Sequence, residues 1–332
     1  MTFDRLTSKE RVALREASLP DSLPVMLATL TDDRFSDADW IFERKLDGVR
    51  CLARRTARGS VRLLSRSGQD LSRTYPEIAE AVAAQAGDEL IVDGEVVAFD
   101  GPRTSFERLQ GRLGLTNPDA ARATGIAVCY YVFDVLHLAG HDVRRLPLLT
   151  RKRLLRGAIN FADPLRFTTH RREAGEAAFR AACERGDEGV IAKRAAAPYA
   201  PGRSRDWLKF KCVRDQEFVI GGWTDPQGSR AAFGALLLGY HDDGAFVYAG
   251  KVGTGFDDRL LRSLGERLAR LERDRSPFDR GRVRERGVHW VRPELVAQIG
   301  FTEWTRDGML RHPRFKGLRT DKAAADVVRE TR

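Results

Sequence analysis

The stretch Trp40-Ile41-Phe42-Glu43-Arg44-Lys45-Leu46-Asp47-Gly48-Val49-Arg50-Cys51-Leu52-Ala53 decides how the chain is read. Its two ends are apolar and strand-like, and Leu46-Asp47-Gly48 between them has turn character, so the segment predicts strand, turn, strand. Lys45 closes the first strand. The chain carries 57 Lys and Arg residues, of which only nine are lysine. Generic positive charge has gone to arginine, so a retained lysine is a candidate for chemistry that arginine does not do. A guanidinium stays protonated, whereas an amine can lose its proton and attack an electrophile. At an ordinary pKa near 10.4, about 1 amine in 2,500 is neutral at pH 7, so such a lysine has to be rigidly held. Gly48 lets the backbone come close to a ligand, and Asp47 and Arg50 are placed to orient the amine or grip a sugar or phosphate. Taken alone, K-x-D-G-x-R reads equally well as an exposed hairpin with a solvated Lys–Asp pair.

Further along lies Trp207-Leu208-Lys209-Phe210-Lys211. In a strand, residues two apart share a face, so Lys209 and Lys211 project together while Leu208 and Phe210 turn to the core. Two adjacent amines repel unless an anion lies between them, and phosphate suits that place. The plainer reading is an edge strand guarded by lysines. Glu95, in Asp93-Gly94-Glu95, interrupts an apolar strand, and Glu188 opens another. Carboxylates at strand ends beside a phosphate site suit Mg²⁺, which takes one or two carboxylates and fills its shell with phosphate oxygens. Phe133, before Asp134, ends an aromatic-rich strand and reads as a base-stacking ring or as core.

Length and composition set the frame. The chain has 332 residues, 42% hydrophobic and 31% charged, with a net charge of +10. That is enough for more than one core. Residues 251–332 hold 20 Lys/Arg against 13 Asp/Glu, and a basic excess at one end suits a polyanionic partner. No apolar run reaches membrane-span length and residues 1–10 lack a signal-peptide core, so a cytoplasmic location is expected. Cys51, Cys129, Cys183 and Cys212 lie far apart without a C-x-x-C pair. This argues against a zinc site or a disulfide framework.

The pattern predicts strands at 61–66, 90–99, 126–136, 189–193 and 207–211, with helices at 76–86, 105–113 and 173–185. After Lys211 short strands alternate with Gly/Asp turns around one helix, at 257–272. That texture fits a small Greek-key barrel of the OB type. The boundary falls near 212–215, giving a first domain over 1–212 and a second over 213–332.

The ordered series is more specific than any member. It runs Lys45 to Arg50, Ser65-Arg66-Ser67-Gly68, Asp93-Gly94-Glu95, Phe133-Asp134, Glu188-Gly189-Val190-Ile191-Ala192-Lys193 and Trp207 to Lys211. In this order it resembles the covalent nucleotidyltransferases: ATP-dependent DNA ligases, RNA ligases and mRNA capping enzymes. The early Pro24-Val-Met-Leu-Ala and the ending His312-Pro-Arg-Phe-Lys-Gly-Leu-Arg-Thr-Asp-Lys322 make it most similar to the ligase module of bacterial ligase D, as a stand-alone two-domain form. The resemblance implies an α+β fold. A mixed, largely antiparallel-sheet, ATP-grasp-like adenylyltransferase domain would precede an OB-fold DNA-binding domain.

The resemblance also implies roles. Lys45 takes AMP from ATP as a phosphoramidate. Glu43 lies near the adenine edge and Phe133 stacks on the base. Arg50 and Glu95 seat the ribose, and Arg66 lies near phosphate. Glu188, with Glu95, associates with Mg²⁺ or Mn²⁺. Lys209 and Lys211 hold the α-phosphate, and Arg319 and Lys322 orient pyrophosphate. Lys193 receives no defined role, and Ser67 stands where many relatives have asparagine. The expected substrate is nicked or broken duplex DNA, the expected partner a Ku-type end-binding protein, and the expected state a monomer in the bacterial cytoplasm. The alternative is an RNA ligase or a GTP-using capping enzyme.

Overall fold

The computed structural model describes residues 3–212, 215–226 and 232–330. The chain divides into two compact units, Met1–Cys212 and Val213–Thr331.

Two sheets build the first unit. One runs, in spatial order, Arg15–Glu16, His141–Asp142, Val128–Leu138, Leu90–Asp100, Val49–Arg55 and Val61–Ser65. Leu165–Phe167 joins it in parallel beside Val128–Leu138. The other runs His170–Arg172, Trp40–Lys45, Gly189–Arg194, Gly202–Lys211 and Met26–Leu30. Its only parallel pairing joins the last two, so both sheets are mixed and mainly antiparallel. Helix Pro76–Ala83 starts on a proline, as helix starts favour, and buries Ile78 and Val82 one turn apart against the first sheet. Val49, Val92, Val96, Val132 and Val135 fill that core, the β-branched packing that makes these segments strands.

Helix Leu148–Ala158 lies outside the expected elements. Its buried residues are Leu148, Thr150, Arg151, Lys152, Leu154 and Leu155. Three of those six are polar, two of them cations, which breaks the apolar periodicity that marks a helix in sequence. Likewise, the segment expected as one helix at 105–113 is a four-residue α-turn, Phe106–Leu109, followed by a 3-10 turn, Gln110–Arg112.

The cysteine expectation is corrected. Cys183, in helix Gly175–Glu184, and Cys212 form a disulfide with Cα atoms 5.3 Å apart. Sequence distance hid the pair because strand Gly189–Arg194 and the hairpin back along Gly202–Lys211 return the chain to the helix end. Cys51 and Cys129 are free and buried.

The second unit is the OB-type barrel domain. Strand Asp215–Thr224 pairs along one edge with Leu236–Asp242. Along the other edge its first half pairs with Val296–Gly300 and its second with Val288–Val291. Ala245–Val252 extends one side and Arg314–Arg319 the other. Helix Asp258–Ala269, capped by the Asp257 carboxylate on the Leu260 N–H, turns Leu261, Leu264 and Leu268 to this core. That spacing of three and four is the inward stripe of an amphipathic helix.

Candidate active site

Register explains why the lysines meet. Across the second sheet Lys45 stands opposite Gly189, and Gly189 opposite Lys211. In the next row are Glu43, Ile191 and Lys209, and after them Ile41, Lys193 and Trp207. Directly paired residues share a face, so these rows form one surface. Ile41, Lys193, Trp207 and Glu43 are buried, whereas Lys45 keeps 16% of its side chain exposed and Lys209 and Lys211 are half-buried. The surface is closed at one end and opens towards Lys45.

Gly189 is the bare point between the two lysines. Its φ is +147°, and a β-carbon there would fall 1.9 Å from the Phe210 carbonyl oxygen. A side chain would disrupt the strand and cover the gap between Lys45 and Lys211. Gly48 is confined for another reason: a β-carbon would sit 2.2 Å from the Val96 carbonyl oxygen. That close approach joins the end of one sheet at Lys45 to the start of the other at Val49.

The Lys45 ammonium is ion-paired with Glu188 Oε1. The loop presenting Glu188 is fixed from both sides, because buried Asp187 takes Arg44 at 2.7 Å and Arg185 at 2.9 Å. Asp47 does not orient the amine as expected. Its carboxylate accepts from the Phe106 N–H at 3.4 Å, while its own N–H donates to Thr104 Oγ1 at 3.1 Å.

Glu43 is 3% exposed and held by two buried lysines, Lys152 Nζ at 2.5 Å and Lys193 Nζ at 2.6 Å. Burial pushes its carboxyl up, but the two ammonium groups outweigh burial and hold it below the usual range. Lys152 also donates to the Thr168 and Phe133 carbonyls at 3.0 and 3.4 Å. One ammonium thus ties the Glu43 strand of one sheet to the Phe133 strand of the other. Neighbouring His170, opposite Glu43, has its imidazole pKa lowered by burial and by Lys152.

Arg50 and Phe133 are brought together, with partners that the sequence did not reveal. The Arg50 guanidinium is bidentate on fully buried Asp93, at 2.5 and 2.6 Å. Asp93 also accepts from the Tyr199 hydroxyl at 2.6 Å. Phe133 is the extra residue of a β-bulge, between the pairs Asp93–Asp134 and Gly94–Val132. Bulges re-aim side chains near active sites. Here the ring is 8% exposed, with Arg50 4.6 Å and Lys193 4.1 Å from its centre. It forms a cation-lined wall and is not an open platform. Glu95 pairs in register with Arg50 and with Tyr131.

Arg66 stands apart, in the tight turn after Val61–Ser65, with no ion pair or hydrogen bond from its side chain to any described residue. Arg319 and Lys322 belong to the second unit. Arg319 is bidentate on Asp321 at 2.9 and 2.7 Å, and Lys322 meets Glu217 at 2.6 Å. Lys152 and Asp93 are the site residues that sequence reasoning missed. Lysine scarcity, which singled out Lys45, applies equally to Lys152.

Among the described residues no group of three or more His, Cys, Asp or Glu side chains converges as a metal cage. Glu188 and Glu95 offer hard oxygen donors, a set that fits a magnesium ion completing its shell with phosphate oxygens.

Residues 25–211 match the family model described as the ATP dependent DNA ligase domain. Residues 229–322 match the ATP dependent DNA ligase C terminal region. The Pseudomonas aeruginosa multifunctional non-homologous end joining protein LigD is 37% identical over 94% of this chain and 37% of its own length. The Mycobacterium bovis protein of the same name is 38% identical over 93% of this chain and 40% of its own. The chain thus spans well under half the length of these relatives. A solved mycobacterial DNA ligase D complexed with ATP and MES superposes with a TM-score of 0.64 at 36% identity, over 92% of this chain and 98% of that one.

Proposed function

This chain belongs to the ATP-dependent DNA ligase family, and on that basis we propose that it seals 3′-hydroxyl/5′-phosphate breaks in duplex DNA by carrying AMP on Lys45. The observation that carries the assignment is the row Lys45–Gly189–Lys211, with Glu188 on the Lys45 ammonium. It holds a nucleophile, a base and a phosphate-binding cation on one surface.

In the first transfer the Lys45 amine attacks the α-phosphorus of ATP. An N–P bond forms, the α–β P–O bond breaks, and pyrophosphate leaves with the electron pair. Glu188 is the carboxylate placed to take the ammonium proton. Lys209 and Lys211 stabilise the charge that gathers on the α-phosphate oxygens, the dominant demand of phosphoryl transfer. In the second transfer a DNA 5′-phosphate oxygen attacks the same phosphorus and frees Lys45. In the third a 3′-hydroxyl attacks the activated 5′-phosphate, and AMP departs. Magnesium held by Glu188, with Glu95, would neutralise phosphate charge.

Around this chemistry, Glu43 and Phe133 border the adenine and Glu95 with Arg50 the ribose. Arg66 serves a phosphate, and Arg319 with Lys322 orients pyrophosphate in the first transfer. The names of the relatives suggest double-strand ends as the breaks met in the cell, beside a Ku-type end-binding protein. Among the described residues no helix is long and apolar enough to cross a membrane.

The test is covalent labelling with α-labelled ATP and a divalent cation, after bound AMP has been stripped. The parent chain should take up label and Lys45→Ala should not. An unlabelled parent would overturn the proposal, and label from GTP in place of ATP would point to capping chemistry.

A further inference from the structure

In the second unit the chain between strands Glu272–Arg273 and Val288–Val291 contains Arg280-Gly281-Arg282-Val283-Arg284-Glu285-Arg286. Arginine occupies every second position. The structure turns that alternation into geometry. Arg282, Arg284 and Arg286 are exposed, while Val283 and Glu285 between them are half-buried. This in-and-out alternation is that of an extended chain, in which every second side chain points the same way.

The segment is fastened. The Arg280 carbonyl accepts from the Tyr248 N–H at 2.9 Å, and the Gly287 carbonyl accepts from the Asp225 N–H at 2.8 Å. Between these ends Glu285 takes the Lys251 ammonium at 2.7 Å. Arg284 and Arg286 line a cleft of about 630 Å³ together with Thr224, Lys251 and Glu285, whose charge is taken by the Lys251 ammonium. The side chains of Arg282, Arg284 and Arg286 have no hydrogen-bond or ion-pair partner among the described residues. In an arginine-rich chain a solvated charge is ordinary. Three exposed guanidiniums at alternate positions, without a partner among the described residues and on backbone tied down at both ends, are a preorganised surface.

We propose that this arginine strap is a docking surface for the phosphate backbone of a DNA strand. Residues two apart in an extended chain repeat every 6.6–6.8 Å or so, comparable with the step between neighbouring phosphates on one strand. Each guanidinium can fork two phosphate oxygens. The outward positions hold no aromatic side chain, so the strap has no means of stacking bases and grips the backbone without reading sequence. They hold no apolar anchor either, which disfavours an anionic membrane surface. The proposal rests on the ligase reading only for the identity of the polyanion.

The experiment measures binding of the whole chain to a nicked duplex across a range of salt concentrations. The parent is compared with the triple variant Arg282→Gln/Arg284→Gln/Arg286→Gln. A control, Arg259→Gln/Arg262→Gln/Arg267→Gln, removes the same charge from helix Asp258–Ala269, where those arginines are exposed. Three lost phosphate contacts should lower the slope of log K against log salt by about 2.7. Between 50 and 200 mM salt the strap variant should then lose about forty-fold less affinity than the parent. The control should keep a slope near the parent's. Equal slopes in parent and strap variant would overturn the proposal, as would equal changes in both variants, which would mean net charge alone. A change seen with an RNA duplex or anionic vesicles but not with DNA would overturn the choice of partner. Thermal unfolding checks that each variant is folded. Labelling of the parent by ATP is read separately, so a failed strap and a failed ligase assignment give different results.

Discussion

Lys152 donates to Glu43 at 2.5 Å from a helix whose own sequence pattern conceals it, and both side chains are buried. Glu43 stands two residues before Lys45, so a cation from outside the motif fixes the strand that presents the nucleophile. Breaking a buried ion pair by removing one partner costs more than the pair contributes, because the other charge stays buried. Lys152→Met should therefore destabilise the chain by on the order of 3 kcal/mol, read as a lower denaturant midpoint. Adding Glu43→Gln should lower the midpoint further, because buried Lys193 then loses the carboxylate it meets at 2.6 Å. A Lys152→Met chain as stable as the parent would show that Lys193 alone satisfies the carboxylate.

Glu188 is the base nearest the nucleophile in the proposed first transfer. Glu188→Gln keeps the shape and removes the negative charge, so formation of labelled lysyl-AMP should slow by roughly a hundredfold or more. Lys45→Arg keeps the charge and should take up no label. An unchanged labelling rate for Glu188→Gln would assign Glu188 a purely structural role.

Lys322 is paired with Glu217 within the second unit. If it serves only pyrophosphate orientation, Lys322→Ala should slow labelling several-fold while leaving the sealing of a pre-adenylated nick close to the parent rate. Equal losses in both assays would refute the division of labour.

His289 stacks on Trp223 with ring centres 3.9 Å apart, and its two nitrogens meet Glu272 and Asp225 at 2.7 and 2.8 Å. Partial burial lowers its pKa, but the two carboxylates outweigh burial and raise it above the ordinary value. A group whose pKa is raised on folding favours the folded state while protonated. That contribution is complete below the unfolded pKa of about 6.5 and is lost as pH rises through the folded value. The melting temperature of the parent relative to His289→Gln should accordingly be higher at pH 5.5 and converge at pH 8.5. A pH-independent difference would assign the effect to stacking alone.

The disulfide closes a sequence separation of 29 residues, and the chain-entropy relation gives a loop of that size about 3–4 kcal/mol. Cys183→Ser with Cys212→Ser should lower stability by about that amount under oxidising conditions. In excess dithiol reductant, parent and variant should coincide. Equal stability without reductant would show that the bond makes no net contribution.

What the sequence revealed and what it hid divide along a physical line. Lys45, Lys209 and Lys211 were legible because strand periodicity and lysine scarcity act locally, and the antiparallel register then places them on one face, while Glu188, just before that register, meets Lys45 through an ion pair. The OB-type second unit was legible from short strands punctuated by Gly and Asp. Arg50's partner was not, since Asp93 lies 43 residues away and is chosen by the packing of two strands. Nor was the covering of Phe133, because a bulge shifts register by one residue without any marker in composition. The Cys183–Cys212 pair and Lys152 belong to the same class: contacts created when separate elements close on each other.

The three residues Leu46-Asp47-Gly48 bridge the end of strand Trp40–Lys45 and the start of strand Val49–Arg55. They act as a length gauge. Adding one residue here would rotate everything beyond it to the opposite side of its sheet, turning Arg50 away from Asp93 while Lys45 stayed in place. Deletion would pull Lys45 off its row with Gly189. Adenylylation should therefore tolerate insertions in the 139–140 turn, which joins paired strands away from this row, far better than a single one between Lys45 and Val49. The nucleophile is located by the count of residues that follow it as much as by the strand that carries it.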